Sequence, residues 1–246
     1  MAFAELLATD PAAVQVACVA GADRIELCAA LSVGGVSPGA GLLGEALRIA
    51  DGRAEIVVLV RPRAGDFQIR HAGDLRSQIR DVVAAREAGA AGVAVGVLNQ
   101  DGDLDRDAMA LLLEAAGPIP VTLHRAIDAA RDYLATAEAA MELGVARVLT
   151  SGQSRSAWEG REQIARVVRQ VGNRLEVIAG AGVRGENASE LLRATGAAAL
   201  HASCSLASDA NDQAGSEELG MGQQQRMDPQ QAAAVVKAAH SAGPAA

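Results

Sequence analysis

A closed (β/α)8 barrel, the TIM-barrel fold, in a single domain is the architecture this sequence predicts. Three observations predict it: short aliphatic runs alternate with Ala-rich helical stretches, the alternation repeats at a steady interval, and glycines fall where each helix should stop. The expected strands are 3–7, 24–28, 55–61, 92–98, 120–124, 147–150, 175–179 and 198–201. Their starts lie about 28 residues apart, close to one βα unit. A chain of 246 residues also suits a fold that takes about 250.

The segments between the strands read as helices. Over 75–88, Leu75, Ile79, Val82 and Val83 form one apolar stripe, with Arg76, Arg80 and Glu87 off it. The stretches 134–143 and 164–171 repeat that pattern. Asp103, Asp132 and Asn187 are the expected helix caps, and Gly89, Gly117, Gly144, Gly172 and Gly196 the expected stops. The least regular stretch, 205–227, is rich in Ser, Asp, Gln and Gly, and is expected to be a mobile loop over the barrel mouth, before a last helix starting near Asp228.

Composition narrows the function classes. Half the chain is hydrophobic but only 2% is aromatic, so Ala, Val, Leu and Ile must fill the core, as in parallel sheets covered on both faces. A net charge of −8 argues against nucleic-acid partners, which call for a basic footprint. No run of 18 apolar residues predicts a membrane span. The start of the chain, with Glu5 and Asp10, does not read as a signal peptide. Cys18, Cys28 and Cys204 form no C-x-x-C pair, and a reducing, cytoplasmic setting is the simpler expectation.

Chemistry in this fold belongs at the carboxyl ends of the strands. Alternation along a strand turns Arg24, Glu26 and Cys28 to one face and Ile25 and Leu27 to the other, so the polar set should point inward. The same parity turns Thr122 and His124 inward and gives His201 and Ser203 a common face. Arg61, Arg63, Arg125, Asp128 and Ser151 follow strand ends and complete the expected mouth. Such a group is either an ion-paired network around Glu26 and Arg61 or a ligand site. The run 180–185 matches G-x-G-x-x-G, but in the seventh unit and with no acidic residue ending the next strand. An anion-binding turn with Gly180 and Gly182, or plain turn glycines, are the readings it supports. Residues 101–105 imitate a calcium loop, yet Arg106 and Leu112 stand where Gly and Glu are needed. The one lysine, Lys237, lies in the expected last helix, which argues against a Schiff-base enzyme. The absence of H-x-H and H-E-x-x-H argues against a hydrolytic zinc site.

Six stretches together resemble the CutC copper homeostasis protein family: GADRIELC at 21–28, GGVSP at 34–38, RPRAGDF at 61–67, TLHRAID at 122–128, RVLTSGQ at 147–153 and AGAGVR at 179–184. The resemblance implies a TIM barrel, a cytoplasmic location, homo-oligomers and an association with copper. The chain departs from the family in carrying Leu6 and Leu7 after Glu5, where members often have cysteine, and in the region beyond His201. Two functional expectations follow. In the first, copper(I), which prefers soft ligands, is held by Cys28 with help from His124 and His201. In the second, the chain is a lyase or isomerase acting on a small anionic or phosphorylated metabolite. Glu26 and His124 would be its acid/base pair, with Asp128 and His201 beside them. Arg24, Arg61, Arg63, Arg125, Ser151, Gly180 and Gly182 would bind the substrate.

Overall fold

Eight parallel strands carry the chain round a closed barrel in sequence order: β1 (Phe3–Ala8), β2 (Arg24–Leu27), β3 (Glu55–Leu59), β4 (Gly92–Val95), β5 (Val121–Leu123), β6 (Arg147–Thr150), β7 (Glu176–Gly180) and β8 (Ala199–Ala202). β8 pairs with β1, which closes the cylinder and leaves Glu5 level with Arg24 on one side and His201 on the other. This is a computed structural model, and it describes residues 1–207 and 225–242.

The helices α1 (Pro11–Ala20), α2 (Ala40–Ala50), α3 (Ala72–Ala88), α4 (Arg106–Ala116), α5 (Tyr133–Glu142), α6 (Arg161–Val171), α7 (Gly185–Thr195) and α8 (Pro229–Ser241) cover the outside. Asp10 and Asp228 cap α1 and α8, each followed by a proline whose missing N–H costs nothing in the first turn. Asp132 caps α5 as expected. Two expected caps fall differently. Asp105, not Asp103, caps α4, because Asp103 is drawn into an ion pair with Arg131. Asn187 lies inside α7 and reaches back to accept the N–H of Arg184.

β3 and β4 are shorter than the aliphatic runs suggest. Beyond Leu59 the chain leaves the ladder: Ser37 Oγ accepts the N–H of Arg61, and Pro62 has no N–H to give. Most of the expected mobile loop, 208–224, lies outside the described residues. Its two ends pair as antiparallel strands, β9 (Ser205–Ala207) with β10 (Gln225–Met227).

The apolar faces of the strands meet the helices. Ile25, Leu27, Ile56, Val58, Val93 and Val95 join the large outer core, and each fully buried aliphatic side chain contributes roughly 1.5–3 kcal/mol. Inside the barrel, apolar packing is split. Leu7, Cys28, Val57, Leu59 and Ala94 make one small cluster, and Leu149, Ile178 and Ala199 make another. Charged groups fill the rest of the interior.

Candidate active site

A cavity of about 600 Å³ opens at the carboxyl ends of the strands. Of the expected site residues, Glu26, Arg61, His124, Arg125, Asp128, Gly182 and His201 line it. Leu7, Leu59, Phe67 and Leu149 supply apolar wall.

The floor is set by β1, β2 and β8. His201 lies between two carboxylates: Nδ1 is 2.8 Å from Glu5 Oε1, and Nε2 is 3.7 Å from Glu26 Oε2. Glu5 is held in turn by Arg24 Nε at 3.1 Å, and Arg24 is doubly bonded to Glu176 at 2.5 and 3.3 Å. Burial opposes protonation of His201, but the charges of Glu26 and Glu5 outweigh it and raise its pKa. Burial also tends to raise the pKa of Glu5, yet its bond to His201 and the charge of Arg24 bring it below the usual carboxylate value. Glu26 differs. Burial pushes its carboxyl up to about 7, because the pull of His201 is partly offset by Glu5. It accepts no hydrogen bond from any described residue.

His124 follows β5. Its Nδ1 accepts the N–H of Ala126 at 3.2 Å, which leaves the ring proton on Nε2. Burial, then the charge of Arg61, lower its pKa to about 3, so the ring is a neutral donor. Gly96 makes room for it, since a Cβ there would stand 2.6 Å from the imidazole.

The rim is cationic. Arg61 donates to the carbonyls of Val33, Gly35 and Gly65 and lies over the Phe67 ring, 5.3 Å from its centroid. Among the described residues it makes no ion pair, and its buried Nε has no partner there. Arg155 and Arg184 also line the cavity without an ion pair among the described residues. Arg125 is committed: it bonds Asp128 at 2.8 Å and Ser151 Oγ at 2.8 Å. Asp128 also accepts from Thr150 Oγ1, Ser151 Oγ and the N–H groups of Ser151 and Gln153, so it anchors the loop after β6.

Five of the expected site residues fall elsewhere. Arg24 begins β2 at the closed, amino-terminal end, where Glu5 and Glu176 neutralise it. Arg63 sits outside the cavity and pairs with Asp66. Ser151 is buried beneath Arg125 and Asp128. Gly180 is needed for packing, because a Cβ there would stand 2.6 Å from Leu149 and 3.2 Å from His201. Cys28 is enclosed in apolar packing, and burial and Glu26 push its thiol up to about 12. Nor does Arg61 form the expected network with Glu26, since its guanidinium is spent on carbonyls. The partner of Glu26 is His201 rather than His124. Glu5 and Arg155 are not among the expected site residues. A carboxylate inside the aliphatic run 3–8 was the available signal for Glu5.

The α7 N-terminus is not a vacant anion site, because the N–H groups of Arg184 and Gly185 are taken by Asn187 and Gln231. Those of Gly182 and Val183, beside the cavity, have no partner among the described residues. The residues do not fit copper(I). The three cysteines are buried and unpaired, and the Cys204 thiol is also pushed up, to about 11, by burial. Among the described residues, one His/Cys/Asp/Glu group brings donors within 4.8 Å of one another: Glu5, Glu26 and His201, which offer oxygen and nitrogen rather than sulfur.

Fold and site together define a TIM-barrel protein with a buried carboxylate–imidazole floor under an arginine rim. The chain belongs to the CutC family, whose model matches residues 3–206. It is 42% identical over 190 residues to a CutC family protein of Pasteurella multocida, covering 77% of each chain. It is 46% identical over 182 residues to one from Mesorhizobium japonicum, covering 74% of this chain and 69% of the relative. Among solved structures it resembles CutC of Streptococcus agalactiae, named for copper homeostasis, with TM-score 0.78 and 28% identity over 82% of this chain and 99% of that one. A thiamine phosphate pyrophosphorylase of Pyrococcus furiosus, TM-score 0.60 at 16% identity over 97% of this chain and 95% of that one, shares the fold alone.

Proposed function

We propose that the cavity is the active site of an isomerase- or lyase-type enzyme acting on a small anionic metabolite. Glu26, with His201 beside it, exchanges the proton, and the arginine rim holds the anion. One observation carries this reading. In a chain of net charge −8, Arg61, Arg155 and Arg184 line one cavity, and none of them forms an ion pair with a carboxylate among the described residues. Arg125 and Asp128 cancel, so the surplus of positive charge awaits a ligand. A carboxyl with a pKa near 7 is suited to give and take a proton at neutral pH. A thermal-shift screen of phosphorylated and carboxylated metabolites tests the proposal. Hits should weaken at least 10-fold in Arg155→Gln/Arg184→Gln, and Glu26→Gln should still bind but not turn over. A screen without hits, or hits indifferent to both arginines, overturns it.

A link to copper homeostasis comes to this chain through its family. Direct copper(I) binding would run through Cys204, at the cavity wall, or Cys28, in apolar packing, and neither belongs to a cluster of donor side chains among the described residues. Copper(I) titration should find no tight site. A tight one-to-one site lost in Cys28→Ser or Cys204→Ser would reinstate the metal. Three free, buried thiols support a cytoplasmic location, and homo-oligomers belong to the same reading. No helix among the described residues is long and apolar enough to cross a membrane.

A further inference from the structure

Two buried side chains face the cavity with hydrogen-bonding capacity that no described residue meets, and their needs differ. His124 offers a proton on Nε2, its Nδ1 being occupied by the N–H of Ala126. Glu26 offers carboxyl oxygens that accept no hydrogen bond from a described residue, the His201 Nε2 at 3.7 Å being too far for one. Both are more than nine-tenths buried. Both groups open onto the cavity, so the natural ligand is one that satisfies both at once. It needs an acceptor for His124, a transferable hydrogen for Glu26 and an anionic end for the rim.

We infer that the substrate is a carbonyl compound with a terminal phosphate, of the α-hydroxy aldehyde or ketone class, and that the reaction is proton transfer between the two carbons. This assignment rests on the cavity being an anion-binding catalytic site. The Glu26 carboxylate takes the proton from the carbon next to the carbonyl, the C–H electrons form a C=C bond, and the carbonyl π pair moves to oxygen. His124 Nε2–H donates to that oxygen, and Arg61, close enough to depress the ionisation of His124, adds positive potential. The C=C pair then takes the proton back from Glu26 at the former carbonyl carbon, while the neighbouring hydroxyl becomes the new carbonyl and its hydrogen passes to the first oxygen. One carbon is oxidised, its neighbour is reduced, and no external reagent is consumed. A neutral imidazole is the suitable donor, since its own proton is held firmly while charge develops opposite it.

Calorimetry with three probes tests this: inorganic phosphate, glycerol 3-phosphate and 2-phosphoglycolate, whose planar carboxylate stands in for the enediolate. The wild type should bind phosphoglycolate at least 10-fold more tightly than glycerol 3-phosphate. In His124→Asn, whose side chain can still accept the N–H of Ala126, that preference should fall to within about 3-fold. Glycerol 3-phosphate affinity should stay unchanged, with circular dichroism showing an intact fold. Equal affinity of the wild type for both organic phosphates overturns the carbonyl assignment and leaves the anion site standing. A preference that survives in His124→Asn also overturns it, because extra ligand charge alone would then explain the preference. If none of the three probes binds, the anion site falls as well.

Discussion

Exchanging Glu26 for glutamine removes a charge that the fold tolerates poorly, and the effect on stability should depend on pH. In the folded chain this carboxyl titrates near 7, against 4.5 when free. Between those values the folded state holds more protons at this group than the unfolded state, so the contribution of Glu26 to stability is most favourable below pH 4.5 and is lost as pH rises toward 7. A gap of roughly 2.5 units corresponds to about 3 kcal/mol at alkaline pH. That figure already includes the attraction to His201, so glutamine should recover about 3 kcal/mol. Urea unfolding of both proteins at pH 5 and 8.5 measures this. The variant should be within about 1 kcal/mol of the parent at pH 5. At pH 8.5 it should be more stable by about 3 kcal/mol, worth about 6–12 °C in a chain of this size. A variant less stable at pH 8.5, or one with the same offset at both pH values, would refute the strain assigned to Glu26.

Three further outcomes follow from the same geometry. Arg24→Met removes the guanidinium shared by Glu5 and Glu176, leaving Glu5 to His201 and Glu176 to Arg147, and should cost about 3 kcal/mol in denaturant unfolding, with anion affinity at the opposite end unchanged. Gly160→Ala drives a Cβ into the Ser151 carbonyl oxygen and should destabilise by about 3 kcal/mol or more, displacing the loop that carries Gln153 and Ser154. In an NMR titration, the His201 ring should stay protonated above the usual histidine value of 6.5, whereas His124 should stay neutral down to about pH 3. Inversion of that order would contradict both environments.

The barrel was legible because its signals are local. Aliphatic runs, their spacing and stop glycines such as Gly89 and Gly196 each act within a few residues. The inward parity of Glu26, His124 and His201 could likewise be read from alternation. Height along the barrel could not. Arg24 and Glu26 share a face, yet one sits among the ion pairs of the closed end and the other on the cavity floor. Nor does sequence say which partner a charge finds. Arg61 was expected to meet a carboxylate and instead binds three carbonyls of loops it draws together, and Gly180 serves packing against His201 rather than a ligand. Such outcomes depend on contacts between distant segments, where tertiary geometry decides among equally plausible pairings.

The ladder of charge running from Glu176 through Arg24 and Glu5 to His201 and Glu26 ties the foot of the barrel to its working end. Drift at any single rung would strand a partner in a dry interior. These positions are therefore expected to vary as a set across relatives, or hardly at all. A redesign seeking a sturdier scaffold should exchange the lower rungs jointly for aliphatics, accepting that His201 would then need another group to fix its orientation.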